Sequence, residues 1–188
     1  MKKTGLILVC TLLFTGQIFA QEKLTADTDK SKILWLGERI GNKHTGTVKM
    51  KSGWLTLKEN KITSGEFLID MNTIEEDNKN QKLTSHLKSD DFFGVEKFPE
   101  SKLVIRGSTP LDKGSGIVSG DLTIKGITSP VEFKTAMKKA EDGMWFYSNI
   151  IIDRTKYDVR FGSGSFFENL GDRTIFDEIT FKVSLLVN

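Results

Sequence analysis

Cysteine is almost absent from this chain of 188 residues, and the single one, Cys10, lies within the first twenty residues. That segment begins with Lys2 and Lys3, continues with a short apolar stretch and reaches a small residue at Ala20. This pattern predicts a secretory signal peptide over residues 1–20, because its apolar stretch is shorter than the ~20 residues of a spanning helix. Removal of the segment would leave no cysteine, which excludes disulfides, thiol catalysis and cysteine-bound zinc.

An excess of one charge and long apolar runs are also lacking after residue 20. The chain has 27 basic and 25 acidic residues, and removal of Lys2 and Lys3 leaves 25 of each. This balance argues against nucleic acid or an anionic membrane surface as the main partner. With no later segment apolar enough to span a bilayer, we expect no stable membrane insertion and a periplasmic or secreted location. The remainder fits one domain at 31–188, preceded by a loose polar lead-in at 21–30.

Histidine is scarce as well. His44 and His86 have no neighbours at the spacing of metal-binding motifs such as HExxH or HxH. The acidic clusters at 75–77 and 90–91 fit a solvated loop and a helix end better than catalytic carboxylate pairs. The Gly-Ser run at 162–165 lacks the strand–turn–helix setting of a nucleophile elbow. We therefore expect no metal, no cofactor and no catalytic residue.

Alternating apolar and polar residues dominate the chain from residue 31 onward, and this period of two predicts antiparallel strands. Turns are predicted at 52–53, at 58–61 and, most strongly, at Asp142-Gly143. Gly120 lies inside a strand pattern, which indicates a bend or the close approach of a ligand. Seven to nine such strands fit a sandwich or an up-and-down barrel, and about eight can close around one small ligand. We favour the barrel.

Two stretches interrupt the alternation. In the stretch 83–99, Leu83 and Leu87 share one helical face, which predicts a short helix that Asp77 or Asn78 can cap and that closes one end of the sheet. The other stretch is a long connection at 153–174. Alternation of Tyr157, Val159 and Phe161 predicts that part of this connection is strand.

Three blocks of sequence occur in order along the chain. They are GEFLIDMNTI at 65–74, then Leu83, His86-Leu87, Ser89, Asp91-Phe92-Phe93 and Phe98-Pro99, and finally GDLTIKGITSPV at 120–131. Together they resemble the YceI-like family of exported lipid-binding proteins over nearly the whole chain after residue 20. The loop at 160–169 departs from the family's pattern, so the identity of the ligand stays open.

The resemblance implies an all-β fold, an extended antiparallel lipocalin-like barrel of about eight strands with a short helix near one end. It also implies a long apolar cavity for polyisoprenoid chains, isoprenoid quinones or similar amphiphiles, and it leaves a homodimer as an option. Alternation alone predicts which residues would line such a cavity. They are Phe67, Ile69, Met71, Leu87, Phe92, Phe133 and Trp145.

Three polar residues are candidates for contact with a lipid head group. His86 matches the family's helix motif, and the alternative is a helix-edge histidine paired with Asp90. Arg154 and Tyr157 resemble the family's Arg-x-x-aromatic element. Arg154 could bind a phosphate or a quinone oxygen, and the alternative is an arginine that closes the barrel by binding backbone carbonyls.

Three functions remain open at this point. The first is a non-enzymatic protein that holds a long apolar lipid for carriage, storage or sequestration. The second is an enzyme that acts on a lipid head group. The third is a protein-interaction module whose barrel is filled by its own side chains.

Overall fold

The computed structural model describes residues 22–188, so the predicted signal peptide lies outside the described residues. These residues form nine strands, one α-helix and two short 3-10 helices. The strands are β1 (Glu22–Thr25), β2 (Lys32–Arg39), β3 (Asn42–Lys58), β4 (Lys61–Glu76), β5 (Glu100–Ser108), β6 (Ser115–Ile124), β7 (Ile127–Ala140), β8 (Gly143–Asp153) and β9 (Ile175–Val187). The α-helix, α1 (Gln81–Lys88), lies between β4 and β5, and the 3-10 helices (Arg154–Tyr157 and Gly171–Arg173) lie between β8 and β9.

Eight of these strands close into an antiparallel barrel. Their order is β3-β2-β9-β8-β7-β6-β5-β4, and β3 pairs again with β4 to complete the ring. A ring of about eight strands encloses a space that side chains can fill or that can hold one small ligand. The predicted all-β barrel with a short helix is therefore confirmed.

The barrel is extended on the side of β3 and β4, which have 17 and 16 residues. At ~3.3 Å per residue, a strand of this length runs for about 55 Å along its path. Three register shifts between the two strands bend them around the barrel. The predicted turn at 52–53 is wrong, because β3 continues through a bulge there. Gly53 lies under the ring of Phe67, where a Cβ atom would come within 2.2 Å of that ring.

The segment predicted as a loose lead-in is partly ordered strand, so that prediction is wrong for residues 22–25. β1 pairs with the second half of β3, beyond the point where β2 pairs with the first half. The Thr25 N–H donates to the Asn188 carbonyl at 2.8 Å, and the Asn188 N–H donates back at 3.0 Å. β1 thus lengthens the wall beside β9, and Leu24 is buried in it.

The two ends of the barrel differ. The end that carries α1, the β2–β3 and β6–β7 turns and the long β8–β9 connection is called the helix end below. The opposite end carries the β3–β4, β5–β6 and β7–β8 turns. The turn predicted at 58–61 is present, and the turn predicted at Asp142-Gly143 lies one residue earlier, at 141–142. Glu59 and Asn60 have φ values of 49° and 58°, as a tight hairpin turn requires. Leu111 is buried at this opposite end, and its N–H donates to the Asn60 carbonyl.

Helix α1 begins two or three residues later than its predicted caps would place it. The side chain of Asn80 caps it by accepting from the Leu83 N–H at 3.1 Å. Asn78, one of the two predicted caps, instead donates its side-chain amide to Glu76. Leu87 is buried against the barrel, as the spacing of the two leucines predicted.

The connection between β8 and β9 contains no strand, so the strand predicted around Tyr157–Phe161 is wrong. Tyr157 and Val159 are buried, but they flank a left-handed residue, Asp158, at the end of a 3-10 helix. The Val159 N–H donates back to the Arg154 carbonyl at 3.3 Å. A tight turn with both flanking side chains buried therefore imitates the alternation of a strand.

Candidate functional site

The interior of the barrel contains an apolar cavity of about 340 Å³. It extends from the helix end into the barrel, between the inner faces of β2 to β9 and the buried side of α1. Its polar lining residues in the body of the barrel are Ser101, Thr135 and Ser148, and its charged ones lie at the helix end. A cavity of this size is within the range of small-molecule sites in proteins.

Six of the seven residues predicted to line this cavity do so. They are Phe67, Ile69, Met71, Leu87, Phe92 and Phe133. The prediction for Trp145 is wrong, because Trp145 lies on the outer face of β8. Its indole N–H donates to Asp142 at 3.2 Å, and its ring stacks on Tyr147 with the centroids 6.0 Å apart. The residues of β8 that face the cavity are Phe146, Ser148 and Ile150.

Sequence reasoning missed several lining residues, and Trp35 is the largest of them. Trp35 lies on the inner face of β2, directly opposite Gly46 of β3. A Cβ atom at Gly46 would come within 2.5 Å of the Trp35 ring, so only glycine makes room for the indole there. The alternation of Ile33 and Trp35 was the available signal. Among residues 22–188, the Trp35 Nε1 atom is buried without a hydrogen-bond partner.

Two hydroxyl side chains face each other inside the cavity. Thr135 of β7 lies directly opposite Ser148 of β8, and their Oγ atoms are 2.8 Å apart. Thr135 is only 2% exposed, whereas Ser148 keeps more accessible surface. Because Ser148 lies on the inner face, that surface belongs to the wall of the cavity. We call Thr135 and Ser148 the inner hydroxyl pair.

His86 lies at the helix end and lines the cavity. Its ring packs edge-on against Phe161 and Phe92, with centroid distances of 4.5 and 5.8 Å. The predicted pairing with Asp90 is wrong, since Asp90 forms an ion pair with Lys97 at 2.7 Å instead. The His86 Nε2 atom is buried and has no hydrogen-bond partner within the part of the chain that the structure describes.

Arg154 reaches the cavity wall, but its guanidinium is committed to the protein. It donates to the carbonyl oxygens of Val159, Ile175 and Phe176 at 2.7, 3.0 and 3.1 Å. Asp177 lies 3.4 Å away, and the residue is 1% exposed. Burial lowers the pKa of Arg154 below its ordinary value, and the nearby carboxylates of Asp177 and Asp153 oppose this shift. This arrangement matches the structural alternative, an arginine bound to backbone carbonyls.

Tyr157 is buried beside the barrel wall and is not part of the cavity lining. Burial raises the pKa of its phenol to about 12, although a hydrogen bond with Ser129 acts in the opposite direction. The prediction that Tyr157 contacts a lipid head group therefore finds no support in its position.

The cavity meets solvent at the helix end. Phe176 lines the cavity and is nevertheless 46% exposed, so its ring marks the opening. Phe161 of the β8–β9 connection is exposed to the same degree and packs against the lining residue His86. We call Phe161 and Phe176 the aromatic rim. The charged lining residues Glu38 and Arg39 are also located at this end.

The described residues offer little that resembles a metal centre. Within residues 22–188, no three His, Cys, Asp or Glu side chains come together as metal ligands. His44 lies 3.8 Å from Glu76, whose carboxylate accepts hydrogen bonds from Asn78 and Asn80. Those bonds, led by the one from the Asn78 side chain, hold the pKa of Glu76 below its ordinary value.

Among residues 22–188, no helix has the length and apolar character needed to cross a bilayer.

A sequence model of the YceI-like domain matches residues 24–187 of this chain. The chain belongs to the YceI-like family. A UPF0312 protein of Pseudomonas putida (strain W619) is 30% identical over 149 residues, which cover 77% of this chain and 78% of that protein. The match of the YceI-like domain model covers the whole barrel, including α1 and the aromatic rim.

Solved structures show the same fold in other proteins. BcnA of Burkholderia cenocepacia aligns with this YceI-like chain at a TM-score of 0.73 and 21% identity, over 87% of this chain and 99% of BcnA. A polyisoprenoid-binding domain of Saccharophagus degradans, implicated in plant cell wall breakdown, aligns at a TM-score of 0.63 and 12% identity. That alignment covers 88% of this chain and 97% of the domain. At these identities the likeness concerns the fold.

Proposed function

We propose that this YceI-like protein is exported and holds a long apolar lipid in its barrel, for carriage, storage or sequestration. The proposed ligand is a polyisoprenoid, an isoprenoid quinone or a similar amphiphile. The observation that carries the proposal is the apolar cavity that extends from the aromatic rim into the barrel. The polyisoprenoid-binding domain of S. degradans, which has the same fold, supports the choice of ligand class.

The energetics of the cavity favour a long chain. Burial of about 15 methylene groups at ~0.8 kcal/mol each contributes roughly 12 kcal/mol. Association and ordering cost roughly 4–15 kcal/mol, so a short chain would gain too little to bind. Affinity should therefore increase with chain length more than it depends on the head group.

The other two functions fit the site less well. A filled barrel is the premise of the interaction module, and this interior is not filled. An enzyme acting on a head group would need working polar groups at the mouth. Arg154 is occupied by three carbonyls, and His86 lacks the carboxylate partner that was predicted for it. We therefore propose binding without turnover.

The test is native mass spectrometry of protein purified gently from the exported fraction, followed by titration with isoprenoid alcohols of increasing length. We expect an added lipid mass and tighter binding of longer chains. Two variants probe the cavity, Phe133→Asp, which places a charge on its wall, and Val183→Phe, which fills part of it. Ile151→Asp on the outer face is the matched control, because Ile151 is an exposed apolar residue of β8.

Both cavity variants should lose the lipid, while the control keeps it. Protein that arrives empty and takes up none of the alcohols would contradict the proposal. Equal affinity for short and long chains would contradict it as well, because the apolar cavity would then not be the binding site.

A further inference from the structure

The inner hydroxyl pair is unusual in a cavity whose body is otherwise lined by apolar side chains and the single hydroxyl of Ser101. The inward-facing neighbours of Thr135 and Ser148 along their strands are Phe133, Met137, Phe146 and Ile150. Burial of a hydroxyl costs free energy unless it is hydrogen-bonded, and replacement of both partners by apolar groups of the same shape is often neutral. We therefore expect that the barrel folds without this pair.

The hydrogen bond within the pair leaves one donor and several acceptor sites of the two hydroxyls unused. Two hydroxyls carry two protons, and the bond between Thr135 and Ser148 uses one of them. The second proton and the remaining lone pairs are available to a ligand, since Ser148 has accessible surface on the cavity wall. A ligand oxygen or amide placed there would form hydrogen bonds with the pair, so that neither the pair nor the polar group of the ligand would lack a partner.

The pair lies deep inside the cavity. Ser148 is opposite Val183 on β9, seven residues from Phe176 at the opening (183 minus 176). At ~3.3 Å per residue this distance is about 23 Å along the strand, or about 18 Å along the axis of a barrel with a strand tilt of ~40°. The charged lining residues, Glu38, Arg39 and Arg154, are all at the helix end. The surroundings of the pair are thus uncharged.

From this geometry we propose that the inner hydroxyl pair is the head-group subsite of the cavity. The ligand enters head first and places an uncharged oxygen or amide on Thr135 and Ser148, while its apolar tail extends back toward the aromatic rim. A phosphate at the same depth would lose its hydration and find no cation beside it, so the subsite selects neutral head groups. This inference rests on the proposed lipid-binding function and specifies the chemistry and orientation of the ligand.

The first experiment uses the whole chain without residues 1–20 and three probes. They are geranylgeraniol, the hydrocarbon of the same chain that lacks the hydroxyl, and geranylgeranyl monophosphate. Dissociation constants come from displacement of the uncharged fluorophore N-phenyl-1-naphthylamine. The variant is Thr135→Val/Ser148→Ala, which removes both hydroxyls. The control is Thr123→Val/Thr128→Val, which removes an equivalent pair on the outer face, where the two Oγ atoms are also 2.8 Å apart.

We expect the variant to bind geranylgeraniol about tenfold more weakly than the unmodified protein, which corresponds to ~1.4 kcal/mol. Its affinity for the hydrocarbon should not fall, and the control should bind both probes normally. The monophosphate should bind the unmodified protein more weakly than the alcohol. If the variant binds the alcohol and the hydrocarbon as the unmodified protein does, the pair is structural only and the inference is wrong. If neither the alcohol nor the hydrocarbon displaces the fluorophore from the unmodified protein, the proposed lipid-binding function itself fails.

A second experiment tests orientation without any substitution. A geranylgeraniol analogue with a photoreactive diazirine at the far end of its tail is cross-linked to the unmodified protein, and the labelled peptides are identified by mass spectrometry. Head-first binding predicts labels on the aromatic rim, at Phe161 or Phe176. Labels near Phe146 would show that the tail enters first and would overturn the inference, even if lipid binding itself is confirmed.

Discussion

Arg154 should be the residue on which the β8–β9 connection depends most, and Arg154→Met tests this. Methionine replaces the apolar stem of the side chain but leaves the carbonyls of Val159, Ile175 and Phe176 without their donor. A hydrogen bond to a charged group contributes ~1.5–3 kcal/mol, and breaking a buried ion pair costs ~3–5 kcal/mol. Since these terms overlap, we expect a loss of about 4 kcal/mol. For a domain of this size each kcal/mol lowers Tm by roughly 2–4 °C, so Tm should fall by about 8–16 °C.

The assay is thermal unfolding followed by circular dichroism, with Arg106→Met as the matched control. Arg106 also bonds a carboxylate, that of Asp121, but its side chain is 60% exposed. A surface ion pair contributes only ~0–1 kcal/mol, so the control should change Tm little. Equal Tm values for the two variants would refute the reasoning. If Arg154→Met kept its Tm and lost lipid binding, Arg154 would be a head-group ligand rather than a structural residue.

Two further predictions concern pH. Tyr157 has its pKa raised to about 12 from an ordinary value of 10.0, so the stability it contributes is complete below pH 10 and is lost as the pH rises toward 12. Denaturant titrations between pH 10 and 12 should show a smaller decrease in the free energy of unfolding for Tyr157→Phe than for the unmodified protein. An equal decrease would contradict the burial of this phenol. Glu76 has its pKa lowered from 4.5, chiefly by the Asn78 side chain, so its contribution is present above pH 4.5 and is lost as the pH falls through its folded value. In the same assay, the free energy of unfolding of Glu76→Gln should therefore decrease less as the pH falls than that of the unmodified protein. An identical decrease would argue against these hydrogen bonds.

The error at Trp145 was avoidable from the sequence. Residues that pair directly across two antiparallel strands lie on the same face of the sheet. In a hairpin with a two-residue turn, every directly paired couple consists of one odd-numbered and one even-numbered residue. The observed pairs Thr135 with Ser148 and Met137 with Phe146 follow this rule. An inward Phe133 therefore requires even-numbered residues of β8 to face inward, which excludes Trp145. Hydropathy gave no help, because both faces of β8 carry apolar residues.

Other features depend on contacts that no local pattern encodes. Alternation and the three sequence blocks were sufficient for the barrel, the helix and most of the lining. The role of Arg154 depends on carbonyls up to 22 residues away along the chain. The role of His86 depends on Phe161, which comes from the connection whose sequence was misread as strand. The cavity mouth is thus the part of the site that sequence predicted least well, since irregular segments assemble it.

Folding and binding should depend on different residues of the same barrel wall. Leu186 and Val187 of β9 are fully buried and lie outside the cavity, as the dense packing of protein interiors requires. Val183 and Leu103 point into the barrel and retain accessible surface, because they border the cavity. Their missing van der Waals contacts are supplied only when a chain occupies the cavity. For this reason Val183→Phe should stabilise the empty protein while it weakens lipid binding. Substitutions that merely damage the fold would lower both quantities together, so opposite signs identify a wall that is built to be filled by a ligand.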